Sequence, residues 1–171
     1  MDVKDAIARR RSVRRFLDKP VPQDAVSRLV DALIMAPSAG NLQSRRFYMI
    51  FDRDVKRRVA TVCLAQMFIA AAPLVVVACA DSARISRYGA RGVELYSIQD
   101  AAVSVGHMML QAVEDGLASV WVGAFDEAGL CGVLGLPQEL RPVAVVPVGY
   151  PAHMPAPPGR LAQDEVIKFI R

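Results

Sequence analysis

Leu74-Val75-Val76-Val77-Ala78-Cys79-Ala80 is the stretch whose reading decides the fold. It is continuously apolar and rich in β-branched valine, with no alternation, and such a run predicts a strand buried on both faces. Upstream, Asp52 to about Gln66 carries Val55, Val59, Val62 and Cys63 on one helical face, and Phe47 to Phe51 reads as a first strand. Downstream, Asp81 to Gly92 reads as a polar loop holding Arg84, Arg87, Tyr88 and Arg91. The longest helix follows, from about Val93 to Asp115, and Gly116 ends it. Ala118 to Val122 reads as a strand, residues 126–134 as a short helix, and Pro142 to Val148 as a last strand. A proline-rich tail then leads to a final short helix at about 163–169.

The N-terminal side opens with a helix over residues 2–10, capped by Asp2, with Val3, Ala6 and Ile7 facing one way. Pro22 opens the next helix, which carries Val26, Leu29, Val30, Leu33 and Ile34 at helical spacing to about Ala36. Pro37 stops it, because a proline pushes the residue before it out of the α region. Strands interleaved with helices imply an α/β layered arrangement in a single domain over residues 1–171.

Composition narrows the class. With 53% apolar residues the chain is neither disordered nor fibrous, and it has apolar surface to spare for an oligomer. The net charge of +4 favours anionic ligands but is modest for a dedicated nucleic-acid protein. Cys63, Cys79 and Cys131 form no C-x-x-C pair, so they read as buried, reduced thiols in a cytoplasmic protein and not as a metal site. The longest apolar run, Met67 to Ala80, is too short to span a bilayer.

Two stretches carry chemistry. Arg9-Arg10-Arg11-Ser12-Val13-Arg14-Arg15-Phe16 puts five arginines into seven positions. Guanidinium groups grip phosphate in a planar fork, so this knot reads as a pocket for a phosphorylated cofactor, an arm for nucleic acid, or a solvated basic turn. Pro37-Ser38-Ala39-Gly40-Asn41-Leu42-Gln43-Ser44 is dense in hydrogen-bonding side chains and reads as a turn or a ligand loop. His107, mid-helix among Met and Leu residues, reads as structural.

Four blocks together resemble the FMN-dependent nitroreductase family along the whole chain, its small members above all. They are Arg10 to Phe16, Ala36 to Gln43, Asp100-Ala101-Ala102 through Gly116 to Phe125, and Val148-Gly149-Tyr150-Pro151 followed by Arg160. The resemblance implies a three-layer α+β fold, with a central mixed but mostly antiparallel sheet flanked by helices. It also implies an interlocked homodimer with two FMN sites at the subunit interface. Arg10, Arg11, Ser12, Arg14 and Arg160 are then expected to hold the FMN phosphate and ribityl chain. Pro37, Ser38 and Ala39 come from the other subunit against the flavin, with Asn41 and Gln43 in the same polar loop. Val122, Gly123 and Ala124, with Trp121, pack along the isoalloxazine ring, and Gln66 stands near its pyrimidine edge.

The implied chemistry is a ping-pong cycle: NADH or NADPH reduces FMN at N5, and a nitroaromatic, quinone or similar electron-poor acceptor takes the electrons. No protein catalytic residue and no metal is required for it. Many members carry Pro-Trp where this chain has Ser44-Arg45, which predicts altered local packing and an altered pocket rim. The short connection between Gln66 and Leu74 predicts an open site, partly closed by the Arg84–Arg91 loop. Two other classes stand beside this one: a flavin-dependent relative that does not use NAD(P)H (dehalogenase-like or flavin-processing), and a nucleic-acid binding module built on the knot.

Overall fold

The computed structural model describes residues 1–171. In chain order the helices begin with α1 (Val3–Arg9) and α2 (Gln23–Ile34), followed by strand β1 (Arg45–Ile50). Next come α3 (Arg53–Val62), α4 (Phe68–Ala71) and β2 (Leu74–Asp81). Short turns α5 (Ser82–Ile85) and α6 (Gly89–Arg91) lead through a π-helical turn, Gly92–Tyr96, into the long α7 (Ser97–Glu114). The chain closes with β3 (Ala118–Ser119), α8 (Glu127–Leu134), β4 (Leu140–Gly149) and α9 (Gln163–Val166).

The four strands lie in the order β1-β2-β4-β3, and each neighbouring pair is antiparallel. The apolar run that decided the fold is β2, buried at every residue. Strand side chains alternate between faces. Leu74, Val76 and Ala78 therefore enter one core, with Leu29 and Leu33 of α2 and Val105 and Met108 of α7. Val75, Val77 and Cys79 enter the other, with Val59 of α3, Ile69 of α4 and Leu130 of α8. Three layers follow directly: α2 and α7, then the sheet, then α3, α4 and α8. None of the helices is long and apolar enough to cross a membrane.

Several boundaries differ from the sequence reading. The first strand starts at Arg45, since Arg45 and Arg46 still pair with Ala80 and Cys79. Helix α3 stops at Val62, because Leu64 and Ala65 both take positive φ. The segment after β2 is a chain of helical turns and not an open loop, with the Asp81 carboxylate accepting from the Arg84 amide at 3.1 Å. The long helix begins as a π turn, so regular α geometry starts only at Ser97. The expected strand to Val122 is reduced to Ala118–Ser119 plus an isolated bridge from Val122 to Val145. The terminal helix is a single turn, and Ile167 beyond it is extended. On α1 only Ala6 is buried, while Val3 and Ile7 face outward.

The basic knot is stitched to the sheet. Ser12 bridges Ser119 in parallel, the Val13 amide donates to Ser119 O at 3.1 Å, and Leu17 donates to Tyr150 O at 2.9 Å. Val13 is buried, which fixes the inner face of the segment and sends its neighbours outward.

Candidate active site

The knot runs as extended chain after α1, and alternate residues of extended chain share a face. Arg10 and Ser12 line a recess of about 530 Å³ with His107, Met109 and Leu110 of α7 and with Trp121. Two residues on, the Arg14 guanidinium stands 5.9 Å from the centroid of Phe68. The ion pairs of the chain include none of the five knot arginines. Arg11 is different: its guanidinium folds back to donate to Ala8 O and Arg10 O at 2.6 and 2.9 Å, closing the C-terminus of α1. The structure therefore brings Arg10, Ser12 and Arg14 along one side and leaves Arg11 out.

The Trp121–Ala124 turn continues this side. Val122 is buried and anchored to Val145, while Gly123 and Ala124 are exposed. A Cβ on Gly123 would meet nothing but the Trp121 ring, at 3.6 Å from Nε1, so the outer side of this backbone is bare. Gln66 joins it from α4's approach. Its Nε2 donates to Cys63 O at 2.8 Å and to Ala124 O at 3.2 Å, which leaves Oε1 free to accept. Leu64 and Ala65, with φ of 56° and 55°, form the left-handed turn that aims it. Two consecutive non-glycine residues in that region store strain, which tends to collect at functional sites.

The Pro37–Gln43 loop lies elsewhere in the chain's surface and is held from beneath. Asp100 of α7 is buried and accepts from the Ala39 amide (2.9 Å), the Ser44 amide (3.3 Å) and the Ser44 hydroxyl (2.6 Å). Arg45 is buried beside it and donates to Ile34 O, Ala36 O and Pro37 O at 2.7 to 3.0 Å. Those carbonyls end α2, where no later helical amide can reach them. The Ser44-Arg45 departure is thus a clamp, and burial lowers the Arg45 pKa while Asp100 opposes the shift. Gly40, Asn41 and Gln43 all take positive φ near 54°. Ser38 Oγ accepts from the Gln43 amide, so Ser38 shapes the loop as well as edging it.

Over this loop lies the segment expected to close the site. Arg87 donates to Gly40 O at 3.5 Å, and a Cβ on Gly40 would collide with the Arg87 guanidinium and the Tyr88 hydroxyl. The segment seats itself on the loop.

The structure places three further residues. His107 is exposed and lines the Arg10 recess, because α7 turns that position away from both cores. Arg160 is exposed in the tail and donates only to Pro158 O and Gly159 O, so a single chain does not carry it to the knot. Asp100 was visible only as a motif letter, and its role as the acceptor under the loop depends on partners some sixty residues earlier in sequence. Among the thiols, burial pushes Cys63 up to about 11 and Cys79 up to about 12, which keeps both protonated and unreactive.

Fold and site together define a three-layer α+β protein with an unneutralised arginine face beside a bare backbone turn and an aimed amide. The chain belongs to the Nitroreductase family, whose sequence model matches residues 7–81 and 64–150. It is 29% identical over 195 aligned positions to an NADH dehydrogenase of Thermus thermophilus, covering 98% of this chain and 95% of that one. It is 28% identical to the FMN reductase [NAD(P)H] of Bacillus subtilis, covering 96% of this chain and 72% of the relative. The structure of B. megaterium NfrA2 superposes with a TM-score of 0.92 over 98% of this chain and 74% of that chain, at 24% identity, a likeness of fold.

Proposed function

We propose that this chain is an FMN-dependent NAD(P)H oxidoreductase that passes electrons to nitroaromatic, quinone or similar electron-poor acceptors. The observation that carries the reading is the outward side of the knot: Arg10, Ser12 and Arg14 with no carboxylate in reach, next to the Trp121–Ala124 turn and the free Gln66 Oε1. That donor set fits a flavin mononucleotide. Guanidinium and hydroxyl donors suit a phosphate dianion, and bare backbone suits a flat ring. Ser119 Oγ, buried without a partner behind Ser12, adds an unsatisfied polar atom to the same wall.

Bound FMN supplies a two-electron relay between a nicotinamide and an acceptor that use one exposed face in turn. The chain's residues bind and orient. Arg10, Ser12 and Arg14 hold the phosphate, and Arg160 joins them once the tail is packed. Gln66 Oε1 accepts from the pyrimidine edge, and the turn of Val122, Gly123 and Ala124 lies along the ring. The amides of that turn stabilise negative charge developing there. Pro37, Ser38, Ala39, Asn41 and Gln43 act across the interface of a homodimer, on the partner subunit's flavin.

Unpartnered apolar surface supports the dimer. Val3 and Ile7 of α1, Met35 after α2, and Val166, Ile167, Phe169 and Ile170 of the tail are all exposed, Ile170 by 91%. Strand β1 also has an open edge. The run of exposed apolar residues in the tail and the open strand edge are what a partner subunit would cover.

Purification tests the reading. The protein is expected to be yellow, with about one FMN per chain, to bleach anaerobically on NADH or NADPH, and to recolour on adding a nitroaromatic or quinone. Colourless protein that cannot be loaded with FMN sinks it. Yellow protein that neither nicotinamide bleaches would instead favour a relative that uses another reductant.

A further inference from the structure

The segment seated on the Pro37–Gln43 loop is a ladder of cations and aromatic rings. Arg87 stands 5.0 Å from the Tyr88 ring centroid, Tyr88 meets Tyr96 edge-on at 5.8 Å, and Arg91 stands 5.6 Å from Tyr96. Each guanidinium is also steadied by a phenol oxygen, Arg87 by Tyr88 at 3.2 Å and Arg91 by Tyr96 at 3.1 Å. Two features of the backbone build this order. The π turn at Gly92–Tyr96 adds a residue to the turn of helix and sets Tyr96 against Tyr88. Gly92 leaves room for Tyr88, whose Cβ would lie 2.6 Å from any Cβ there.

Charge separates the two rungs from their neighbours. Arg46 and Arg84 both face the buried Asp81, at 3.7 and 3.6 Å. Arg87 and Arg91 enter no ion pair, and Asp100, the other buried acid nearby, is engaged with the loop. Exposed guanidinium groups held beside a ring and its hydroxyl keep N–H donors for an incoming anion, next to an aromatic surface.

We propose that Arg87, Arg91, Tyr88 and Tyr96 form a recognition rim for planar anionic substrates, an aromatic carboxylate or a phosphate-bearing ring system. The rim rests on the reading of the Pro37–Gln43 loop as flavin-facing, because Arg87 and Tyr88 are built onto Gly40 of that loop. An aromatic acid lies with its ring against the tyrosines and its carboxylate between the guanidinium groups. The same chemistry would greet the phosphates of the nicotinamide donor.

The test compares charged and neutral probes of one shape. For the FMN-loaded protein, kcat/KM for 4-nitrobenzoate over that for 4-nitrobenzyl alcohol is measured in wild type and in Arg87→Gln/Arg91→Gln. The ratio is expected to fall about tenfold, the scale of a lost hydrogen bond to a charged group. It should also fall with added salt in the wild type, because the rim is exposed. Arg91→Gln alone, which touches no loop atom, should give part of the fall and guards against a displaced loop. Calorimetric titration with benzoate, which is not reduced, reads the same loss without turnover. Stopped-flow reduction by NADPH and NADH in the same variants identifies the source of the anion. A fall there assigns the rim to the donor, and a fall only in the nitrobenzoate arm assigns it to the acceptor. Unchanged ratios and unchanged benzoate affinity in both variants overturn the rim while leaving the functional reading intact. Failure to turn over even the neutral probe overturns the functional reading and the rim with it.

Discussion

Arg45 and Arg10 are the same side chain put to opposite uses. Arg45 is buried, and its guanidinium donates to three carbonyls that close α2 and begin the ligand loop. Arg10 lines an open recess and has no acid or carbonyl engaged. A buried cation with both terminal nitrogens engaged by backbone carbonyls is part of the fold. A cation held beside a hydroxyl, a tryptophan and bare backbone, with its donors spare, is placed for something that arrives later. The same contrast divides the knot itself, where Arg11 is spent on Ala8 O and Arg10 O while Arg10 and Arg14 are not.

The comparison can be broken first at Arg45. Arg45→Met keeps most of the buried stem but strands three carbonyls, and urea unfolding of the FMN-free protein should show a loss of about 3 kcal/mol. A loss under about 1 kcal/mol would mean water replaces the guanidinium and the clamp is not structural. Asp100→Ala should follow at about 2 kcal/mol, since the Ala39 and Ser44 donors lose their acceptor. The variant should also expose Ala39–Ser44 amides to faster hydrogen exchange.

The ligand side is expected to behave in reverse. Arg10→Ala should weaken FMN retention about tenfold, read by equilibrium dialysis, with unfolding of the FMN-free protein moved by less than about 0.5 kcal/mol. Arg160→Ala should weaken FMN to a similar degree if the tail delivers it to the knot. Tight FMN in both variants removes the phosphate assignment. The smallest effect is predicted at Arg9→Gln. Arg9 is exposed and does not line the Arg10 recess, so FMN affinity and stability should both stay within error.

Much of the frame was legible in order. The β2 run, the Asp2 cap, the Pro37 stop and the Gly116 exit are local signals, each set by residues within a turn or two. The elements that resisted reading are those shaped by distant partners. His107 read as structural from its Met and Leu neighbours, and only the packing of α7 on the sheet says which side faces out. The Asp81 to Gly92 segment looked like a polar loop, and its helical turns rest on Asp81 at the end of β2 and on the π turn that follows.

By itself the sequence determined a layered arrangement of strands and helices and a cluster of arginines and a hydroxyl suited to an anion, which follow from periodicity and from what a side chain can donate. The α+β class, the glycine for close approach and the amide near a turn came from the resemblance carried by the four blocks. Only the tertiary structure decided which arginines are free. Arg11 finds its acceptors locally in Ala8 O and Arg10 O, whereas Arg45 finds Ile34 O and Ala36 O only because folding brings the end of α2 back to β1, and no such acceptor is brought to Arg10.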